Sequence, residues 1–447
     1  MILDTICAIS TAYGTAGISV IRVTGDASIE KVNQVFKGPN LTKAKSHTLH
    51  YGFILDDQEK PIDEVMVAVL KSPRSFTTED MVEISTHGGI LVTNNVLKRL
   101  LEIGIRLARP GEFTERAFVH GRIDLAESEA VMDLISAKNE NALKLAMQGL
   151  RGNTSKLIES LRDELLSIIA VIEVNIDYPE YDDTIEMTNE IVKPDIEAFI
   201  KKLDTILYEA QKGRLMREGV NTAIIGKPNV GKSSLLNALL QEERAIVTDI
   251  AGTTRDTIEA SLNIGGVTLN LIDTAGIRET VDVVEQIGVE RSKQAIEQAE
   301  LVILVLDLSE TLSEEDHLLL DLTEHKTRIL VGNKKDLGTK LQMKDVISLS
   351  VLNNEGLDLL EKSILDKLQL TEIEDDFNYI SNVRHIHKIE EAKALLYNVL
   401  EAIEIGLPID MVEIDIKNAW ATLGSIIGQY HPEDLIDELF SKFCLGK

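Results

Sequence analysis

Gly226-Lys227-Pro228-Asn229-Val230-Gly231-Lys232-Ser233 has the spacing of a loop that wraps phosphates. Its glycines let the backbone close around an anion with its N–H groups turned inward. Lys232 can reach the β and γ phosphates, and Ser233 can ligate Mg²⁺. The context agrees, because a strand-like run ends at Ile225 and a helical run begins at Ser234. Asp273-Thr274-Ala275-Gly276 follows a second strand-like run. Its Asp can hold Mg²⁺ through water, and the Gly276 N–H can meet a γ-phosphate. Asn333-Lys334-Lys335-Asp336 follows a third. A carboxylate at Asp336 can accept both N1–H and N2–H of guanine, which adenine does not offer, and Ser350 can support the base through its backbone. These segments together, in this order, point to GTP and its hydrolysis.

The loop Thr248-Asp249-Ile250-Ala251-Gly252-Thr253-Thr254-Arg255-Asp256 reads as a switch. A threonine in it can close on Mg²⁺; Thr254 is the choice, with Thr253 the competing neighbour. Val230 and Ser234 complete the expected nucleotide contacts beside the phosphate loop. Ile277 stands where many GTPases carry a water-orienting Gln and has no polar atom for that task. Glu279, Asp282 and Glu285 are the nearby carboxylates that could replace it.

The 447 residues suggest about three domains. The first 115 or so read as α/β, with strands at Ile18–Val23, Glu64–Leu70 and Met81–Ser85 and a helix at Val92–Ile103. Asp124–Ile176 is helical, broken near Gly149–Gly152, and a second helix runs from Asp195 to Arg217. Alternating strands and helices from Val220 to Leu370 predict a parallel-sheet unit inserted between helical blocks that return at His385–Ile405, Met411–Leu423 and Pro432–Phe443. The fold class expected is multidomain α/β plus all-α.

A net charge of −28, from 74 acidic and 46 basic residues, argues against coating nucleic acid by bulk electrostatics. Two cysteines, Cys7 and Cys444, build no disulfide framework and fit a reducing compartment. No signal peptide, membrane span or lipidation box is read from the chain, so a cytoplasmic location is expected.

Together with Gly17–Arg22, Ser75–Asp80, His87-Gly88-Gly89, Arg109–Phe118 and the terminal Phe443-Cys444-Leu445-Gly446-Lys447, these segments resemble the MnmE (TrmE) family of tRNA modification GTPases along the whole chain. The resemblance implies a folate-binding and dimerisation domain (1–118), a helical domain (119–216 and 377–447) and an inserted Ras-like P-loop G domain (217–376). It implies an FAD-containing MnmG-type partner in a heterotetramer, a homodimer of this chain, and tRNA reached through the complex. The implied product carries a carboxymethylaminomethyl-type group on C5 of the wobble uridine, with the one-carbon unit drawn from a tetrahydrofolate derivative, the 5-formyl or methylene form. Folate contacts carry over to Arg22, Glu83, Arg122 and Lys447. K⁺ carries over to Asn229, Thr248, Ile250 and Thr253, and the water-orienting role to Glu285. Cys444 matches a family cysteine and is either a nucleophile or a buried small residue. Two rival readings are a GTPase that chaperones ribosome assembly and a folate enzyme with a vestigial G domain. The acidic charge and the terminal motif oppose the first; the intact phosphate loop opposes the second.

Overall fold

In the computed structural model, the described residues are 4–177, 191–241, 258–272, 293–341, 343–370, 380–429, 439–441, 443 and 446. They form two compact units, Met1–Met132 with Gly424–Lys447, and Asp133–Leu423.

The first unit is built on a seven-stranded sheet of order β3-β4-β5-β6-β2-β1-β7. Its strands are β1 (Ile6–Ile9), β2 (Ile18–Thr24), β3 (Phe36–Lys37), β4 (Thr48–Leu55), β5 (Pro61–Leu70), β6 (Met81–His87) and β7 (Arg106–Leu107). Alternation explains the layering. Ile21, Val23, Val65, Val67, Val82 and Ile84 point to one face, where they pack with Ile29 and Val32 of helix Ser28–Val35 and with Val96 and Leu100 of helix Ile90–Glu102. The opposite face carries Arg22, Glu83, Tyr51 and Met66. Strands β1, β3, β4 and β7 and helices Ser28–Val35 and Glu112–Val119 are not among the elements expected from the sequence, where they are short or weakly patterned.

A buried ionic cluster ties the loops to this sheet. Arg116, on helix Glu112–Val119, is fully buried. It donates to Glu79 Oε1 (3.0 Å), Asp4 Oδ1 (2.6 Å), the Asp4 carbonyl (2.9 Å) and Glu112 Oε1 (3.2 Å). Arg106 also donates to Glu112 and to Asp4. Glu79 reaches on to the Thr24 hydroxyl (2.9 Å), which pairs with that of Thr77 (2.6 Å). The runs Ser75–Asp80 and Arg109–Phe118 therefore meet in one network. Gly111 opens the helix at a φ of 71°, and a Cβ there would strike the Phe440 carbonyl at 2.4 Å, so glycine is required where the C-terminal segment packs. Phe440 is itself buried beside Phe118 and Phe443.

The second unit holds a six-stranded sheet of order β13-β12-β11-β8-β10-β9. Its strands are β8 (Val220–Ile225), β9 (Ile258–Ile264), β10 (Val267–Ile272), β11 (Leu301–Asp307), β12 (Arg328–Asn333) and β13 (Val346–Ser348). Every residue of β11 is buried, because hydrophobic clusters cover both faces of the sheet. The expectation of a parallel sheet needs one correction: β9 runs antiparallel to β10. Gly265 and Gly266, both at positive φ, make the two-residue turn that joins them. Helices Glu140–Leu150, Asn153–Asp177, Lys193–Glu218, Val383–Glu404 and Ile409–Ile426 complete this unit up to Leu423. The expected break near Gly149–Gly152 is present. A second break precedes Glu140, where the Asn139 side chain accepts the Ala142 N–H and caps the helix. The segment Pro432–Phe443 lies largely outside the described residues.

Burial pushes the Glu112 carboxyl up, but the Arg106 guanidinium, the Arg109 backbone N–H and the Arg116 guanidinium outweigh it and hold it below the usual glutamate range. A depressed folded value means that this group contributes stability above the unfolded value of 4.5, which is lost as pH falls through the folded value. Arg116→Ala would leave Glu79 buried without its cation and remove one of the two guanidinium groups bonded to Glu112, at a cost of about 3–5 kcal/mol. Thermal unfolding of the full chain should show an early transition in this variant. The wild-type protein should also lose stability when titrated below pH 4.5.

Candidate functional site

Three parallel strands deliver the nucleotide loops to one edge of the second sheet. β8 lies between β10 and β11, parallel to both, so the chain crosses to opposite sides of β8 there. A crevice outside the strand ends is expected at such a switch point. β8 runs into Gly226–Gly231, and helix Lys232–Gln241 starts directly behind it. The helix begins two residues earlier than the sequence suggested, placing Lys232 and Ser233 in its first turn. Gly226 has a φ of 151° and lies so near β11 that a Cβ would stand 2.3 Å from the Val305 carbonyl. Asn229 takes a left-handed φ of 65° and is exposed, as are Ser233 and Ser234; Val230 is buried. Lys232 Nζ donates to the carbonyls of Gly226 (2.7 Å) and Lys227 (2.9 Å). Burial pulls this ammonium below the ordinary lysine value.

The base-recognition loop is bound to the phosphate loop. Asn333, at the end of β12, donates from Nδ2 to the Val230 carbonyl (2.9 Å) and accepts the Val351 N–H (3.2 Å). Lys334 has a φ of 63°. Asp336 accepts the Ser350 hydroxyl on Oδ1 at 2.5 Å. Ser350 is buried and held by paired backbone bonds to Glu355, both 3.0 Å. Asn229, Val230, Gly231, Lys232, Ser233, Ser234, Asn333, Lys334, Asp336 and Ser350 therefore belong to one strand edge and its loops. Thr248, Asp249, Ile250, Ala251, Gly252, Thr253, Thr254, Asp273, Thr274, Ala275, Gly276 and Glu285 lie outside the described residues. Among the described residues no cluster of three or more His, Cys, Asp or Glu could hold a metal. The exposed Ser233 hydroxyl beside Lys232 suits a Mg²⁺ shared with phosphate oxygens.

The second group of expected residues gathers on the outer face of the first sheet. Arg22 and Glu83 are register partners on β2 and β6, joined by Nε–Oε1 (2.9 Å) and a second contact of 2.8 Å. The Arg22 guanidinium lies 5.8 Å from the ring centroids of both Phe76 and Phe113. Arg122 lies 5.1 Å from the Phe76 ring and donates to the Ser75 carbonyl (2.7 Å). Two cations thus lie near the Phe76 ring, which the sequence alone does not single out. Its place in the run Ser75–Asp80 was visible, but not that the ring is shared by two distant arginines. Lys447 and Cys444 lie outside the described residues. Gly446 does not: its carbonyl accepts the Ser10 hydroxyl (3.1 Å), and a Cβ on it would stand 2.3 Å from the Ile9 carbonyl. Gly446 therefore docks just beyond the end of β1, beside β2 of the same chain. Cys7 is buried, which pushes its thiol up to about 12 and leaves it inert.

Among the described glycines of these two loops, Gly231 is the most tightly enclosed. Its φ is 97°, and a Cβ would lie 2.2 Å from Asn333 Nδ2. Gly231→Ala should break the link between the two loops and weaken guanine-nucleotide binding by at least about tenfold, through roughly 1–3 kcal/mol of backbone strain. Fluorescent-nucleotide titration measures this, and unchanged affinity would refute the role given to the link.

Residues 5–122 match the family model described as the GTP-binding protein TrmE N-terminus, and residues 125–444 match that of the MnmE helical domain. The chain is 58% identical to the tRNA modification GTPase MnmE of Acholeplasma laidlawii, 51% to that of Aster yellows witches'-broom phytoplasma and 52% to that of Bacillus cytotoxicus. Each comparison covers 100% of both chains. A phosphate loop linked to a guanine-type loop agrees with those names, and the chain belongs to the MnmE family of tRNA modification GTPases.

Proposed function

We propose that this GTPase works with an FAD-containing MnmG-type partner to place a carboxymethylaminomethyl-type group on C5 of the wobble uridine of certain tRNAs, with a tetrahydrofolate derivative as one-carbon donor. The observation that carries the folate reading is the approach of Arg22, paired with Glu83, and of Arg122 to the Phe76 ring. An aromatic ring flanked by cations suits a flat pterin and an anionic glutamate tail, and Glu83 can accept pterin N–H groups. Lys447, one residue beyond the docked Gly446, would add a cation. In this reading the chain divides functionally into a folate and dimerisation domain (1–118), a helical domain (119–216 and 377–447) and a G domain (217–376).

The outer sheet face also supports a homodimer. Tyr51 and Met66 are cross-strand partners that stay 54% and 40% exposed, next to Leu49 at 65%. Apolar residues on an otherwise alternating strand pair call for a cover. The partner protein and the tRNA would meet this dimer in the cytoplasm, the tRNA through the complex, because the chain's own charge of −28 repels it. No helix among the described residues is long and apolar enough to cross a membrane.

In the G domain, Ser233 and Thr254 would hold Mg²⁺, and Asn229 with Thr248, Ile250 and Thr253 would hold K⁺. The left-handed backbone at Asn229 presents an exposed amide oxygen at the phosphate loop. A cation there supplies the charge neutralisation that an arginine finger supplies elsewhere. Glu285 would orient the water that Ile277 cannot, once two G domains pair over the ion.

The test of the modification reading is nucleoside mass spectrometry of tRNA from a strain lacking this gene. The full-length protein should restore the modified wobble uridine, and Arg22→Ala should not, while also losing reduced-folate binding in calorimetry. Restoration by Arg22→Ala with folate binding intact would refute the folate site. Turnover in KCl should exceed that in NaCl at equal ionic strength by about tenfold or more, on the scale of a lost transition-state contact. Equal rates would refute the K⁺ role.

A further inference from the structure

The segment that leaves β11 reaches the base-recognition loop through a charged pair. Asp307 ends β11 and is the register partner of Asn333 on β12. Its Oδ2 lies 2.7 Å from Lys334 Nζ. Its Oδ1 accepts the Ser309 backbone N–H (2.9 Å) and the Ser309 hydroxyl (2.6 Å). Both carboxylate oxygens are therefore engaged, and the side chain is only 4% exposed. The next residue is tied to the same loop, since the Leu308 N–H donates to the Asn333 carbonyl (2.9 Å).

Burial pushes the Asp307 carboxyl up, but Lys334 and Ser309 hold it below the usual aspartate range, so this carboxylate is charged at neutral pH. A lysine has a long stem with much rotamer freedom and a strongly hydrated head. Between Asn333 and Asp336 such a side chain would sweep across the base-recognition loop unless its head were anchored. The backbone at Lys334 adopts a left-handed φ of 63°, an uncommon conformation for this residue type. Strain and an ion pair with a buried carboxylate are thus combined in a loop that already carries Asp336. A purely stabilising role accounts poorly for that combination, because buried pairs contribute little net stability over apolar replacements.

We propose that Asp307 is a positioning residue of the guanine-nucleotide site. By holding the Lys334 ammonium it fixes the methylene stem of that lysine as one wall of the base-binding loop, beside Asp336. Asp307 does not touch the nucleotide; it acts through Lys334. The assignment rests on the GTPase reading of the site.

The test is a double-mutant cycle in the full-length protein with Asp307→Asn, Lys334→Met and the pair together. Affinity is read with a fluorescent guanine nucleotide, and kcat at saturating GTP. Asp307→Asn should weaken GDP and GTP binding by about tenfold and leave kcat at saturation within about twofold, since the anchor acts on binding rather than on the transition state. The double variant should bind no more weakly than Lys334→Met alone. Asp307→Glu, which keeps the charge, should recover part of the affinity. Additive losses, unchanged affinity in Asp307→Asn, or loss of the folded circular-dichroism signal in that isosteric variant would each overturn the assignment. Failure of the wild-type protein to bind guanine nucleotide would instead overturn the GTPase reading beneath it.

Discussion

The hydrogen bond from Asn333 Nδ2 to the Val230 carbonyl holds the nucleotide site together. The loops it joins leave strands that are not neighbours, since β11 lies between β8 and β12. It joins the two loops directly, across the intervening β11. Two features make room for it. Gly231 has no Cβ to displace the amide, and Asn333 is buried, where a satisfied polar group costs little and an unsatisfied one costs much. One side chain thus sets the spacing between the Gly226–Gly231 loop and the loop that follows β12.

The first unit solves a related problem with charge instead of a neutral amide. Four loop and helix segments must meet around Phe76 and Phe113. Arg116, Glu79, Glu112, Asp4 and Arg106 hold them through bonds that run from the buried Arg116 out to the exposed Asp4 and Arg106. Such a cluster adds little net stability, but it fixes orientation, because each member has few alternative partners. The rings that face Arg22 and Arg122 are carried by the two segments the cluster clamps. The acidic surface of the chain leaves these cations as a local exception, which suits an anionic small molecule better than a polyanion.

Much of the second unit was legible in the chain. Glycine and lysine spacing identifies the phosphate loop because backbone wrapping and charge reach depend on local geometry alone. The strand runs around it are buried on both faces and so read as continuous apolar stretches. β9 was not legible, because its pairing direction is set by the Gly265-Gly266 turn rather than by its own residues.

Tertiary structure alone decided which distant residues share a surface. Arg22, Glu83 and Arg122 are ordinary charges in sequence; the β2–β6 register pairs Glu83 with Arg22, and the bond of Arg122 to the Ser75 carbonyl holds that cation near the Phe76 ring that Arg22 also approaches. The same holds for the chain end, whose docking at Ser10 depends on Gly111 and Gly446 admitting close backbone contact. Asp307 is the plainest case. In sequence it is the polar residue that ends an apolar run; its bond to Lys334 exists because β11 and β12 pair in one register. Local spacing specifies chemistry within a loop, whereas contacts between loops depend on strand order, which no short stretch of residues encodes.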